Sequence, residues 1–137
     1  MHDPAKIDKP LIRVIDDDDA MRNSWAFLIE GEGWDVKTYA DAITFLSSND
    51  YIRPGCLLLD VRMPHMSGLE LQLKLREAGC ALPIIFISGH GDIDMAVMAL
   101  HEGAADFIQK PVDNERLLAV IASTAFESLS GAGAVLD

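Results

Sequence analysis

Three carboxylates, a hydroxyl and an ammonium stand at the ends of short apolar runs in this chain. Asp16 and Asp17 follow LIRVI, Asp60 follows CLLL, Ser88 follows PIIFI, and Lys110 follows DFIQ. Taken singly, each has an ordinary reading: Asp60 as a turn residue, Ser88 as a helix cap, Lys110 as a surface lysine. Taken together they fit one chemistry. Carboxylate oxygens suit a hard divalent cation, and Mg²⁺ characteristically takes one or two carboxylates, keeps water, and leaves room for phosphate oxygens. An aspartate in such a site can attack phosphorus and carry an acyl phosphate, with the cation and a lysine neutralising the charge that develops. The run DDDD at 16–19 needs the same explanation, since adjacent carboxylates repel. Asp16 and Asp17 are assigned to the cation, Asp19 to the start of the first helix as its cap, and Asp18 to solvent.

These groups meet only if the runs that carry them are neighbouring strands. Apolar runs at 11–15, 34–39, 56–59, 83–87 and 105–108 each precede a longer segment with helical spacing. Strict alternation with short connections predicts a parallel sheet with right-handed crossovers and helices on both faces. CLLLD and PIIFIS are continuously apolar, as central strands are, and ligands of such sheets bind beyond the carboxyl ends of the strands. Helix punctuation agrees: Ser67 with Glu70 reads as a capping box, Gly79 and Gly103 as helix stops, and Asp41, Asp92 and Asp113 as residues that precede and cap helices. In the last helix Leu117, Leu118, Ile121 and Ala125 share one face.

The chain has 137 residues, half of them hydrophobic and 24% charged, the balance of one compact domain. A net charge of -11, with only 11 Lys and Arg, argues against nucleic-acid binding by this segment itself. Cys56 and Cys80 lack metal-ligand spacing and lie in or beside apolar segments, so both read as buried thiols in a reducing compartment. No apolar stretch approaches the roughly 20 residues of a membrane span, and the polar, Pro-containing start MHDPAKIDKP is unlike a signal peptide. The expected location is the cytoplasm, without membrane association. Residues 1–10 read as a loose arm, 11–126 as the folded domain, and 127–137 as a linker-like tail.

VIDDD, LLLDVRMPHMSG, IIFISGHGD and DFIQKP, in that order, resemble the receiver domain of bacterial two-component response regulators, most of all receivers that precede a LuxR-type helix-turn-helix. The resemblance covers residues 11–126. It implies a flavodoxin-like α/β fold: a doubly wound, five-stranded parallel sheet in order 2-1-3-4-5 with five helices. It also implies a regulatory phosphoprotein rather than an enzyme with a substrate of its own. By position, Asp60 matches the phosphoacceptor for a sensor histidine kinase, Asp17 the more direct Mg²⁺ ligand, and Asp16 a ligand acting mainly through water. The backbone carbonyl of Arg62 matches the third protein ligand. Ser88 matches the switch hydroxyl and Lys110 its cationic partner, and the bond from Lys110 to Pro111 is expected to be cis, which would aim the lysine inward.

Phe107 matches the family's switch aromatic; lacking a hydroxyl, it is expected to report the state of the site by bulk alone. Arg62 and His90, two residues beyond the acceptor and the switch hydroxyl, match positions that tune phosphoryl lifetime. The exposed part of residues 92–109, with the last helix, is the expected interaction face, and a homodimer is expected to form there on phosphorylation. Transcriptional output would come through a DNA-binding domain absent from this chain, which reads as the front of a transcription factor or as a single-domain receiver. Two other readings compete. A haloacid-dehalogenase-type phosphatase needs an aspartate two residues after the nucleophile, where this chain has Arg62. A pseudo-receiver that binds without being phosphorylated usually lacks part of the set of acidic pair, acceptor and lysine, all of which are present.

Overall fold

The computed structural model describes residues 9–48, 50–89 and 92–134, with side chains as far as residue 129. Strands β1 (Leu11–Ile15), β2 (Asp35–Tyr39), β3 (Gly55–Asp60), β4 (Ile84–Ser88) and β5 (Asp106–Gln109) alternate with helices α1 (Asp19–Gly31), α2 (Ala42–Ser48), α3 (Gly68–Glu77), α4 (Ile93–His101) and α5 (Asn114–Ala134). The strands pair in parallel in the order β2-β1-β3-β4-β5, as expected. That order reverses the direction of travel across the sheet between β1 and β3, so the crevice lies beyond the carboxyl ends of these two strands. Ile15 stands opposite Leu59 in the register, which brings the residues that follow them, Asp16 and Asp60, side by side.

Period-two alternation along the central strands sorts the core into two layers. Ile15, Leu57, Leu59 and Phe86 face one way and pack with Phe45, Leu71, Leu75 and Ala99 from α2, α3 and α4. Ile12, Val14, Leu58, Ile85 and Ile87 face the other way and meet Trp25 and Ile29 of α1 and Leu117, Ile121 and Ala125 of α5. Each such aliphatic side chain contributes about 1.5–3 kcal/mol when fully buried, so the strand ends rest on a rigid platform.

Three local features differ from the sequence reading. Asp18, not Asp19, caps α1: its carboxylate accepts from the N–H of Met21 at 3.1 Å. Asp19 is the first helical residue and pairs with Arg22. Helix α5 runs on to Ala134, past the boundary drawn at 126, and the Ser128 hydroxyl accepts from the N–H of Gly55 at 3.1 Å. Gly131 and Gly133 are poor helix formers, so the tie to the sheet rather than propensity is what favours continuation of the helix. Residues 1–8 of the expected arm lie outside the described residues.

The third difference is Arg13, a fully buried charge in the middle of β1. Its guanidinium donates to the carbonyls of Leu11 at 2.8 Å, Asp50 at 3.0 Å and Arg53 at 2.8 Å. The side chain therefore fastens the loop before β3 onto β1, the two strands that carry the site. Arg13→Met keeps the stem and removes the donors. It should lower stability by about 2 kcal/mol or more in urea unfolding, because one buried and two partly buried carbonyls lose their donor.

Candidate functional site

Asp16 and Asp60 end adjacent strands, and Asp17 follows on the turn into α1. One ligand oxygen from each of the three lies within 4.8 Å of the other two, the one such acidic group among the described residues. Asp16 is buried, Asp60 is half-buried and Asp17 is exposed, so the cluster opens to solvent on one side. Backbone N–H groups serve the inner oxygens: Asp18 donates to Asp16 Oδ1 at 2.9 Å, and Arg62 donates to Asp60 Oδ1 at 3.1 Å. Lys110 Nζ stands 3.9 Å from Asp60 Oδ2. The bond from Lys110 to Pro111 is cis, and the Lys110 N–H donates to the Ser88 carbonyl at 2.6 Å, joining the last residue of β4 to the lysine.

Burial pushes the carboxyl pKa values of Asp16 and Asp60 up, and neighbouring carboxylates add to the rise. Their backbone donors and Lys110 oppose it without reversing it. Three carboxylates face one ammonium, so the protein alone holds more negative charge here than it neutralises. An all-oxygen donor set with excess charge and an open side fits a hard divalent cation such as Mg²⁺.

Packing explains why Asp60 is held so firmly. A Cβ on Gly68 would stand 2.4 Å from the Asp60 carbonyl oxygen and 3.0 Å from the Phe86 ring, while the Gly68 N–H donates to the Val61 carbonyl at 2.8 Å. Only glycine lets α3 approach the end of β3 this closely. Phe86 in turn lies beside the half-buried Phe107, with ring centroids 6.1 Å apart. Phe86 thus neighbours both Gly68, which packs on the Asp60 carbonyl, and the expected switch aromatic. The sequence reading passed over Gly68, although its place just after Ser67, ahead of the apolar stripe of α3, was the available signal.

Two expected side chains point elsewhere. Ser88 is buried and donates its hydroxyl to the carboxylate of Asp92. The exposed guanidinium of Arg62 donates to Asp92 Oδ1 from Nε at 3.1 Å and from Nη2 at 2.5 Å. Asp92 was expected to cap α4 and makes no side-chain capping bond. Its side chain is 1% exposed, and Arg62, then Ser88, hold its pKa below the ordinary carboxylate range. Sequence reasoning missed this role because the type and place of Asp92 suit a cap, whereas its actual partners come from the ends of β3 and β4. His90 lies outside the described residues.

The family model described as the response regulator receiver domain matches residues 12–122. The chain is 50% identical over 111 residues to the response regulator protein TmoT of Ectopseudomonas mendocina, covering 81% of this chain and 50% of that protein. It is 44% identical over 110 residues to the transcriptional regulatory protein FixJ of Azorhizobium caulinodans, covering 80% and 52%. A solved structure of the response regulator StyR aligns with a TM-score of 0.87 at 40% identity, covering 92% of this chain and 64% of that one. The chain spans about half the length of the curated relatives it matches.

The raised carboxyl pKa values carry a signed consequence. A carboxyl whose folded-state pKa lies above its unfolded value costs stability in full above the folded value, and the cost is relieved as the pH falls. Metal-free Asp60→Asn should therefore melt a few degrees above wild type at pH 7. That advantage should shrink as the pH drops through the raised range, and added Mg²⁺ should narrow it at pH 7. Thermal unfolding of both proteins from pH 4 to pH 8, with chelator and with Mg²⁺, measures all three.

Proposed function

This chain belongs to the response regulator receiver domain family, and on that premise we propose that Asp60 accepts a phosphoryl group from the phosphohistidine of a sensor kinase and thereby switches the face formed by α4, β5 and α5. The supporting observation is the grouping itself: three carboxylates within 4.8 Å and Lys110 at 3.9 Å from the central one. Asp16, Asp17, Asp60 and the Arg62 carbonyl would hold Mg²⁺, which supplies the positive charge that the protein lacks there.

An oxygen of Asp60 attacks phosphorus in line as the bond to the histidine nitrogen breaks. The backbone N–H of Arg62 and the packing against Gly68 fix the carboxylate's direction. Lys110 pairs with the oxygens of the transferring group, and positioning with electrostatics supplies most of the catalysis. Water later attacks the acyl phosphate and resets the domain, with Arg62 and His90 tuning its access. The phosphatase reading loses ground for the same reason: where it needs a carboxylic acid, the Arg62 guanidinium is committed to Asp92.

Phosphorylation adds about one negative charge. Ser88 and Lys110 turn towards it, and Phe107 follows from its half-buried place beside Phe86 into the space vacated, a steric readout. Moving a switch from 1:99 to 99:1 requires about 5.5 kcal/mol of differential interaction. Charge-assisted hydrogen bonds at roughly 1.5–3 kcal/mol each are of the right size to provide it.

Helix α4 presents Ile93, Val97, Met98 and Leu100 to solvent, an apolar surface suited to pairing two phosphorylated copies. The description of FixJ as a transcriptional regulatory protein supports transcriptional output. With a net charge of -11, this segment would serve that output through DNA contacts made elsewhere.

Incubation with acetyl phosphate should add one phosphoryl group to wild type in Mg²⁺, none in chelator, and none to Asp60→Asn, as read by intact mass. A wild type that stays unmodified in Mg²⁺ would count against the assignment. Decay of the modified protein should change in Arg62→Ala and His90→Ala. For the dimer, sedimentation with beryllofluoride and Mg²⁺ should show association by wild type that Val97→Glu abolishes while leaving its phosphorylation intact.

A further inference from the structure

Neither phosphoacceptor chemistry nor helix capping accounts for Asp92. Its carboxylate is almost wholly buried and takes the Ser88 hydroxyl and two N–H groups of Arg62, side chains that come from the ends of β3 and β4. It sits immediately ahead of α4, where an aspartate ordinarily accepts from N–H groups of the first helical turn, and it makes no such bond. The far end of α4 is anchored: Gln72 Nε2 donates to the Ala99 carbonyl at 3.0 Å, and Arg76 pairs with Glu102. The near end is open, with Ile93 73% exposed.

We propose that Asp92 is a latch, a positioning residue that competes with the phosphoryl group on Asp60 for Ser88 and Arg62 and, once displaced, caps α4. The proposal rests on the reading of Asp60 as phosphoacceptor and adds what holds the resting state.

A serine hydroxyl has one proton to donate, so Ser88 serves either the Asp92 carboxylate or a phosphoryl oxygen. Arg62 carries a fork of donors that matches a carboxylate or a phosphoryl group equally well. Both side chains leave one anion only for another, which makes the arrangement two-state. The carboxylate left behind is one residue from the unsatisfied N–H groups of α4, whose partial positive charge favours it. The near end of α4, where Ile93 is exposed, is therefore coupled to the site through a single side chain that both states need. That is the bistable element on which a coupling between separated sites depends.

The test is the apparent affinity for beryllofluoride at saturating Mg²⁺, by calorimetry, for wild type, Asp92→Ala, Ser88→Ala and the double variant. Asp92→Ala should bind the mimic about tenfold more tightly or better, the equivalent of one charge-assisted hydrogen bond no longer withheld. In the Ser88→Ala background the gain should shrink, because the hydroxyl that the latch holds is gone. An undiminished gain there, or no gain in the single variant, overturns the latch.

Asp92→Asn, nearly isosteric, should fall between wild type and Asp92→Ala and serves if the alanine variant does not fold. In wild type the NMR resonance of Arg62 Nε–H should shift on adding the mimic, and a stationary resonance in protein that has bound it overturns the proposal as well. A wild type that binds no beryllofluoride and takes no phosphoryl group from acetyl phosphate defeats the Asp60 reading instead, so the two failures are distinct.

Discussion

Crowded negative charge at the carboxyl ends of β1 and β3 is the constraint on which the rest of this structure depends. Three carboxylates have oxygens within 4.8 Å of one another. At about that separation, and with an effective dielectric near 20, each charged pair costs roughly 3 kcal/mol. Lys110 and two backbone N–H groups offset part of the cost, and burial of Asp16 and Asp60 adds to it. Carboxylates left free would move apart. Here the strand register, the Arg13 tie and the close approach of Gly68 hold them in place. The fold thus stores a standing demand for positive charge, which on our reading a divalent cation would satisfy and a phosphoryl group would then exploit.

The same edge of the sheet carries the parts that we propose respond. Ser88 and Lys110 are joined through the backbone of β4 and β5, and Phe86 lies between the Asp60 backbone and Phe107. On our reading, a change of charge at Asp60 is felt along two lines, one through Ser88 and Asp92 to the start of α4, the other through aromatic packing to β5. The first line ends on the helix that exposes Ile93, Val97, Met98 and Leu100. Close packing favours discrete rearrangement over gradual deformation, which suits a switch better than a rheostat.

Much of this was legible in the sequence, for identifiable reasons. Asp60 and Ser88 close continuously apolar runs, and such runs mark strands buried on both faces, which places both residues at strand ends. The strand order was not contained in periodicity and came with the resemblance to receivers. Within DDDD, four identical residues give no spacing signal, and the cap fell on Asp18 rather than Asp19. Arg13 reads as an interruption of an apolar strand, and its three carbonyl partners include two from a loop far along the chain. Beyond residue 126 small residues serve linkers and helices alike; α5 continues there, and the bond from Gly55 to Ser128 ties that stretch to the sheet. Asp92 was hidden because local sequence favours a cap while tertiary contacts to Arg62 and Ser88 win.

The central claim, that the three aspartates form a divalent-cation site built around Asp60, is tested most directly by titrating Mg²⁺ into the protein while following its backbone amide resonances. The expected result is one saturable event, with the largest shifts at residues 16–18 and 60–63 and none in Asp17→Asn at the same concentrations. Shifts that do not saturate, that centre elsewhere on the acidic surface, or that persist unchanged in Asp17→Asn would contradict it.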